Sequence, residues 1–149
     1  MLDQIKQLRE KTGAGIMDAK KALEQAQGDM SKAEAIIREQ GLSRAEKKAE
    51  REALAGLVYS YIHQGGKVGV MLEMNCETDF VAKNEDFVGL CKEIALQIVG
   101  MKPENVEELL SQDYIRDSSM KVEDLIKSLI SKTGENMRLR RFVRYELGE

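Results

Sequence analysis

Several residue types are scarce in this chain of 149 residues, and each scarcity excludes a class of protein. The two cysteines, Cys76 and Cys91, are too few for a disulfide framework, and both lie in apolar patterns that predict small core residues. No apolar run is long enough to span a membrane, and the N-terminal segment lacks the apolar centre of a signal peptide. We therefore expect a cytoplasmic protein. The net charge of −3 argues against general binding to nucleic acid, which favours basic surfaces.

Residues that support catalysis are equally scarce. His63 is the only histidine, so a nucleophilic cysteine–histidine pair would have to join it to Cys76 or Cys91. His63 ends one predicted strand and Cys76 ends the next, which allows these two to be neighbours, but nothing else indicates an activated thiol. The segment TGAG (12–15) lacks the lysine-serine ending of a P-loop and follows a helix, which excludes a GTPase. The sequence therefore predicts neither an enzyme nor a bound cofactor.

Acidic residues are concentrated around position 80, where they raise the question of a calcium site. The residues concerned are Glu77, Asp79, Glu85 and Asp86. Calcium needs six or more oxygen ligands from a loop of suitable spacing, and the spacing here fits no known loop. The sequence therefore predicts no metal site.

Residues 1–42 are expected to form a compact bundle of three short helices. Apolar residues recur at helical spacing, and TGAG separates the first helix from the second because glycine permits the backbone angles that end a helix. Gly28 and Gly41 are expected to end the second and third helices, and Asp29 to cap the third. Residues 43–56 are dominated by charges and predict a solvated helical linker.

Residues 57–149 change to a period of two and predict an α+β core. LVYSYIH (57–63) and KVGVMLEMN (67–75) are rich in strand-forming residues and are separated by a Gln-Gly-Gly turn, which predicts an antiparallel hairpin. NMRLRRFVRYEL (136–147) alternates as well and predicts a third strand, because an isolated hairpin would be marginal. On this strand we expect one face to carry Met137, Leu139, Val143, Tyr145 and Leu147.

The rest of the predicted core is helical. Amphipathic patterns predict helices over about 84–101 and 121–132. The polar stretch 104–120 is expected to be irregular, with one helical turn near Val106–Leu110. The predicted fold class is therefore α+β, with a three-stranded antiparallel sheet packed against helices and preceded by a helical bundle and linker.

Two surface features remain as candidate binding sites. Thr78-Asp79-Phe80 places an acid and an aromatic residue where a loop is expected, and an aromatic residue at a loop tip can fill a pocket of a partner. The alternative is that Phe80 folds back and covers the sheet. The second feature is a group of arginines that forms either a solvated sheet face or a surface for RNA or an acidic partner: Arg138, Arg140, Arg141 and Arg144.

Three segments resemble the elongation factor Ts family. LREKTGAGIMDAKKAL (8–23) and EMNCETDFVAK (73–83) are similar to its signature motifs, and KTGENMRLRRFVRYE (132–146) is similar to a later strand segment. Members are bacterial guanine-nucleotide exchange factors for the GTPase elongation factor Tu. The resemblance implies a ubiquitin-associated-like three-helix bundle followed by an α+β core. It also implies a protein that binds elongation factor Tu·GDP, dislocates Mg2+ and promotes GDP release and exchange for GTP.

The resemblance also implies roles for individual residues. Dislocation of Mg2+ from elongation factor Tu is assigned to Thr78, Asp79, Phe80 and Val81. Further contacts with the same partner are assigned to Arg9, Gly13, Gly15, Lys20 and His63. No residue is assigned to metal binding or to covalent catalysis by this chain.

The chain departs from longer members of the family, which carry a duplicated core. Here residues 61–80 join the histidine and the Thr-Asp-Phe motif in one copy, and the segment between Pro103 and Lys121 is short and is expected to lack a helical insertion. A single small sheet leaves one face uncovered, so we predict a homodimer in which His63 and Phe80 of different chains contact one partner molecule. The alternative function is an RNA-associated or ubiquitin-associated-like adaptor, which would use the arginine strand or the bundle.

Overall fold

Helices occupy the N-terminal third of the chain, and strands enter only afterwards. A computed structural model describes residues 1–149 and confirms the α+β class. Its elements are α1 (Leu2–Thr12), α2 (Ile16–Gln25), α3 (Met30–Lys47), β1 (Ala55–Ile62), β2 (Val68–Cys76), α4 (Asp79–Ala82), α5 (Glu85–Met101), α6 (Val106–Ser111), β3 (Asp113–Tyr114), β4 (Asp117–Lys121), α7 (Val122–Thr133) and β5 (Arg138–Glu146). None of the seven helices combines the length and the apolar character needed to cross a bilayer.

The first three helices enclose a small core of their own. Gly13 ends α1 in the left-handed conformation (φ +73°), and its N–H donates to the carbonyl of Arg9. The Asp29 carboxylate accepts a hydrogen bond from the Lys32 N–H and caps α3, as predicted. Alanines dominate this core and let the helices approach closely: Ile5, Leu8, Ala19, Ala22, Leu23, Ala26 and Ala33.

The third helix is longer than the sequence predicts. The expectation that Gly41 ends it was wrong, because α3 continues to Lys47. Gly41 is buried against α7, where a Cβ atom would lie 3.2 Å from the Ser131 hydroxyl oxygen. This glycine therefore lies inside α3 and allows α3 to pack closely against α7. The predicted linker accordingly begins as helix and ends where β1 starts, and the division of the chain into domains at residues 42 and 56 stays a prediction.

The three long strands form one antiparallel sheet in the order β1-β2-β5. The predicted hairpin is confirmed, with Tyr59 paired to Leu72 and Leu72 paired in turn to Phe142. Alternate residues of β2 point toward α5 and join the main hydrophobic core. The most completely buried members of that core are Leu72, Met74, Cys76, Phe87, Cys91, Ile94, Ala95, Ile98, Leu109 and Val122.

A β-bulge in β5 reverses the predicted assignment of its faces. Glu73 pairs with Arg141, but the next residue of β2 pairs with Leu139, which leaves Arg140 as the extra residue. Leu139 and Phe142 therefore both face the core, while Val143 and Tyr145 are exposed on the opposite side. The expectation that Leu139, Val143 and Tyr145 share one face was wrong because alternation does not continue through a bulge.

The opposite side of the sheet is exposed and partly apolar. We call it the open face, and its exposed apolar residues are Val58, Ile62, Met71, Val143 and Tyr145. Gly69 lies between Ile62 and Tyr145 in the pairing register, and a Cβ atom there would lie 2.9 Å from the end of the Ile62 side chain. The open face therefore has an apolar surface that runs across all three strands.

The polar stretch 104–120 is more ordered than predicted. The single helical turn is confirmed as α6, but the stretch also contains the two short strands β3 and β4. The buried Gln97 amide holds them to α5, because it donates to the Asp113 carbonyl at 3.0 Å and accepts from the Ile115 N–H at 3.0 Å. Strands this short carry no sequence period, and their pairing appears only in the tertiary structure.

Candidate functional site

The Thr-Asp-Phe segment forms a single helical turn, α4, where the sequence predicts a loop. Thr78 caps this turn, since its hydroxyl oxygen accepts a hydrogen bond from the Val81 N–H at 3.4 Å. Phe80 lies on the outer side of the turn, and its side chain is 89% exposed. That exposure excludes the interpretation in which Phe80 folds back over the sheet.

The inner side of α4 is attached to the main core. Val81 packs against this core, and Ala82 is buried in it. The Cys76 thiol donates to the Thr78 carbonyl at 3.2 Å and so ties the end of β2 to the start of the turn. Asp79 is exposed beside Phe80. The fold therefore presents one carboxylate and one aromatic ring on a turn whose other side is fixed.

A second anchor of this turn comes from a distant part of the chain. The Glu135 carboxylate accepts hydrogen bonds from the Glu77 N–H at 3.1 Å, the Thr78 N–H at 3.0 Å and the Thr78 hydroxyl at 2.7 Å. Glu135 was not among the predicted site residues. Although it lies in a segment that resembles the family, nothing local connects it with Thr78, 57 residues away.

The predicted contact residues of the bundle surround the α1–α2 turn. Arg9 donates to the Ala14 carbonyl at 3.2 Å and so braces the turn that contains Gly13 and Gly15. All three residues are exposed, and so is Lys20 on α2. Arg9, Gly13 and Gly15 thus lie together at the exposed α1–α2 turn, and Lys20 follows on α2.

Lys132 of α7 connects this turn to the region of α4. Its side chain packs at Gly13, where a Cβ atom would lie 3.3 Å from the Lys132 Cε. Its ammonium group binds the Asp86 carboxylate in the first turn of α5 at 2.7 Å. Since α5 begins three residues after α4 ends, the structure brings two predicted contact regions into one neighbourhood.

His63 lies apart from the other predicted site residues. It is exposed just after β1, with its Nδ1 hydrogen-bonded to the Tyr61 hydroxyl at 3.2 Å. Phe80 follows the other end of β2, whose nine residues span roughly 26 Å. Cys76 pairs with Ala55 and is also at that far end, so the interpretation of His63 and Cys76 as neighbours was wrong.

The cysteines are core residues, as predicted. Cys76 and Cys91 are free and buried. Burial raises the pKa of the Cys91 thiol to about 12 and also raises the pKa of the Cys76 thiol, because a buried thiolate loses its hydration. Neither thiol is activated as a nucleophile. No group of three or more histidine, cysteine, aspartate or glutamate side chains is arranged to hold a metal ion.

The arginines of β5 do not form one basic face. Arg141 binds the Glu73 carboxylate at 3.0 Å, and Arg140 lies 3.7 Å from it. The hydrogen bond from the Asn75 amide, with a further contribution from these two arginines, lowers the pKa of Glu73. Beyond the bulge, Arg144 lies on the opposite side of the strand, where only 10% of its side chain is exposed. The four arginines therefore do not share one face, because Arg144 lies on the side opposite Arg140 and Arg141.

Arg144 instead stabilises the end of the sheet against α5. It donates to the Val99 carbonyl at 3.1 Å and to the Glu146 carboxylate at 2.8 Å. The hydrogen bond from Arg144, with a further contribution from Lys102, lowers the pKa of Glu146 to about 2. Arg144 is thus occupied within the fold and is not available to a ligand.

Comparison with known proteins identifies the family. A family model described as Elongation factor TS matches residues 77–149, the part of the chain that contains Phe80 and Glu135. Elongation factor Ts of Desulforamulus reducens is 45% identical, over 97% of this chain and 88% of the relative. Elongation factor Ts of Thermotoga maritima is 44% identical, over 99% of this chain and 96% of the relative. The chain belongs to the elongation factor Ts family.

Membership of the elongation factor Ts family confirms the resemblance seen in the motifs. Elongation factor Ts of a Synechococcus strain is a further relative, 46% identical over 97% of this chain and 74% of the relative. The alignments extend over 190 or 191 positions, more than the 149 residues present here, so these elongation factor Ts relatives carry residues without a counterpart in this chain. That the shortening lies between Pro103 and Lys121 stays a prediction.

Proposed function

We propose that this protein binds elongation factor Tu·GDP, dislocates its Mg2+ ion and so promotes release of GDP and exchange for GTP. The observation that carries the proposal is the position of Phe80, whose ring is 89% exposed on a turn attached to the core. A large apolar side chain held away from its own fold can enter a pocket of another protein. Membership of the elongation factor Ts family supports elongation factor Tu as that protein.

The mechanism is a coupling between two binding equilibria. A factor that binds the nucleotide-free partner more tightly than the loaded partner lowers the affinity for nucleotide by the same ratio. Burial of one phenylalanine side chain is worth about 1.5–3 kcal/mol, or roughly a 10- to 100-fold change in affinity. This is too little to release a nucleotide held at nanomolar affinity. We therefore infer that Thr78, Asp79, Phe80 and Val81 act through loss of Mg2+, whose charge offsets that of the phosphates.

Exchange by this route needs no covalent chemistry from the protein. It acts by binding, so the buried thiols and the isolated His63 are not required as catalytic groups. We propose that Arg9, Gly13, Gly15 and Lys20 form a second contact with elongation factor Tu. Their exposure around one turn supports this assignment.

The wider organisation is proposed on the same basis. Residues 1–42 would be a ubiquitin-associated-like bundle, residues 43–56 a linker and residues 57–149 a dimerisation core, in a protein of the cytoplasm. The separate small core within α1–α3 supports the first of these assignments.

We further propose that two copies pair through the open face. Its apolar residues range from 39% to 75% exposed, and burying such a patch is favourable. Since His63 and Phe80 lie at opposite ends of β2, a second copy could bring the histidine of one chain and the phenylalanine of the other to one partner molecule.

Light scattering during size-exclusion chromatography tests the dimer. Met71→Glu places a charge at the centre of the open face and is expected to give a monomer, whereas Met101→Glu, at a similarly exposed methionine on α5, should leave the dimer intact. A wild-type monomer that still promotes exchange efficiently would contradict the proposal.

Release of fluorescent GDP from elongation factor Tu tests the function directly. The protein is expected to accelerate release, and Arg140→Ala should change the rate little because Arg140 lies on the bulge, away from α4. An absence of acceleration, combined with RNA binding that weakens steeply with salt, would favour the adaptor function instead.

A further inference from the structure

The segment that follows α7 turns back toward α4. Gly134 ends α7 in the left-handed conformation (φ +78°), which redirects the chain so that Glu135 faces the end of β2. Both oxygens of the Glu135 carboxylate then accept hydrogen bonds. One accepts from the Glu77 and Thr78 N–H groups, and the other accepts from the Thr78 hydroxyl.

We infer that Glu135 is a positioning residue for Phe80. A helix of four residues is too short to be stable alone, so the direction of the Phe80 ring depends on what fixes the start of α4. The Thr78 hydroxyl has a single proton, and its donation to Glu135 leaves an oxygen lone pair for the Val81 N–H. Glu135 thus orients the group that caps the turn.

The segment that carries Glu135 is itself held in place by hydrogen bonds. The buried Asn136 donates its N–H to the Glu77 carboxylate at 2.6 Å and its side-chain amide to the Arg51 carbonyl at 2.7 Å. Glu77 and Glu135 therefore each accept from the backbone of the other's segment. This reciprocal pair joins the end of β2 to the start of β5 and makes a rigid base for α4.

The inference rests on the proposed function, because positioning matters only if Phe80 enters a partner. It adds a residue that acts through α4, because its carboxylate is directed at Glu77 and Thr78. A preorganised ring loses less conformational entropy on binding than a mobile one. Loss of Glu135 should therefore weaken exchange even though Phe80 is still present.

Release of fluorescent GDP from elongation factor Tu, measured with paired variants, tests the inference. Glu135→Ala removes all three hydrogen bonds at the start of α4 and is expected to reduce the acceleration about tenfold. Glu135→Gln should restore most of the rate, because its carbonyl oxygen can accept both N–H groups and its amide can donate to the Thr78 hydroxyl oxygen. The control is Glu93→Ala, which removes a carboxylate that binds Tyr114 and Arg116 instead of α4.

A double variant separates positioning from general damage. If Glu135 acts through the ring, Glu135→Ala should slow release by less than about twofold further in a Phe80→Ala background. Equal losses in both backgrounds, or no loss in either, would overturn the inference provided that the wild type accelerates release.

Amide hydrogen exchange in the free protein gives a readout that does not depend on the partner. The Thr78 and Val81 amides should exchange faster in Glu135→Ala than in the wild type or in Glu93→Ala. Unchanged protection would overturn the inference whatever the result of the release assay. If the wild type failed to accelerate release, the proposed function would fail, and the inferred role toward a partner would fail with it.

Discussion

Two phenylalanines separated by six residues test whether different residues of this protein provide its stability and its binding to a partner. Phe80 is 89% exposed, whereas Phe87 on α5 is 0% exposed and belongs to the main core. Phe80→Ala removes little internal contact, so we expect the free energy of unfolding to change by no more than about 0.5 kcal/mol. Phe87→Ala removes a buried ring and leaves a cavity, so we expect a loss of about 3–5 kcal/mol.

The effects on nucleotide exchange should be reversed. Nearly the whole Phe80 ring is free to be buried by a partner, which is worth about 1.5–3 kcal/mol. Phe80→Ala should therefore weaken binding to nucleotide-free elongation factor Tu roughly 10- to 100-fold. Phe87→Ala should retain the activity of its folded fraction, because Phe87 does not reach the surface.

Denaturant unfolding followed by circular dichroism, together with fluorescent GDP release, measures both quantities for each variant. The reasoning would be refuted if Phe80→Ala lowered the unfolding free energy by about 2 kcal/mol, a typical cost of removing a buried contact. It would be refuted equally if Phe80→Ala accelerated GDP release from elongation factor Tu as much as the wild type does.

Four further predictions concern the fold. Gly56→Ala should destabilise by about 3 kcal/mol or more, because Gly56 has φ +139° and a Cβ atom would lie 2.0 Å from a carbonyl oxygen of β2. Gly89→Ala, at an open helical position, should stabilise by about 0.5–1 kcal/mol in the same unfolding assay. The folded-state pKa of Glu146, about 2, lies below the ordinary value of 4.5, so its contribution is present above pH 4.5 and is lost as the pH falls toward 2. As the pH falls across that range, the melting temperature should fall less for Glu146→Gln than for the wild type. Cys76 and Cys91 should react with a thiol reagent only after unfolding, because both are buried.

Each of these predictions has an outcome that contradicts it, and for Gly89→Ala that outcome is a loss of stability. A Gly56→Ala variant as stable as the wild type would show that β1 relaxes away from β2 without loss. Identical pH profiles for Glu146→Gln and the wild type would show that the hydrogen bond from Arg144 contributes nothing to acid stability. Rapid modification of either thiol in the folded protein would show that the core opens far more readily than its packing indicates.

Sequence by itself determined the features that depend on neighbouring residues. The three helices of the bundle follow from apolar spacing, with glycine after the first two, and the hairpin follows from alternation on either side of Gln64-Gly65-Gly66. The motif at residues 78–81 indicates the candidate site from sequence alone, because its acidic and aromatic residues are adjacent in the chain.

Tertiary structure decided what depends on residues far apart in the chain. Gly41 continues a helix because Ser131 packs against it, and the bulge at Arg140 exists only in the pairing of β5 with β2. The position of Phe80 is secured by Glu135, whose three hydrogen bonds cross 57 or 58 residues of sequence. The local sequence pattern does not predict such contacts, because they form only when packing of the core brings the segments together.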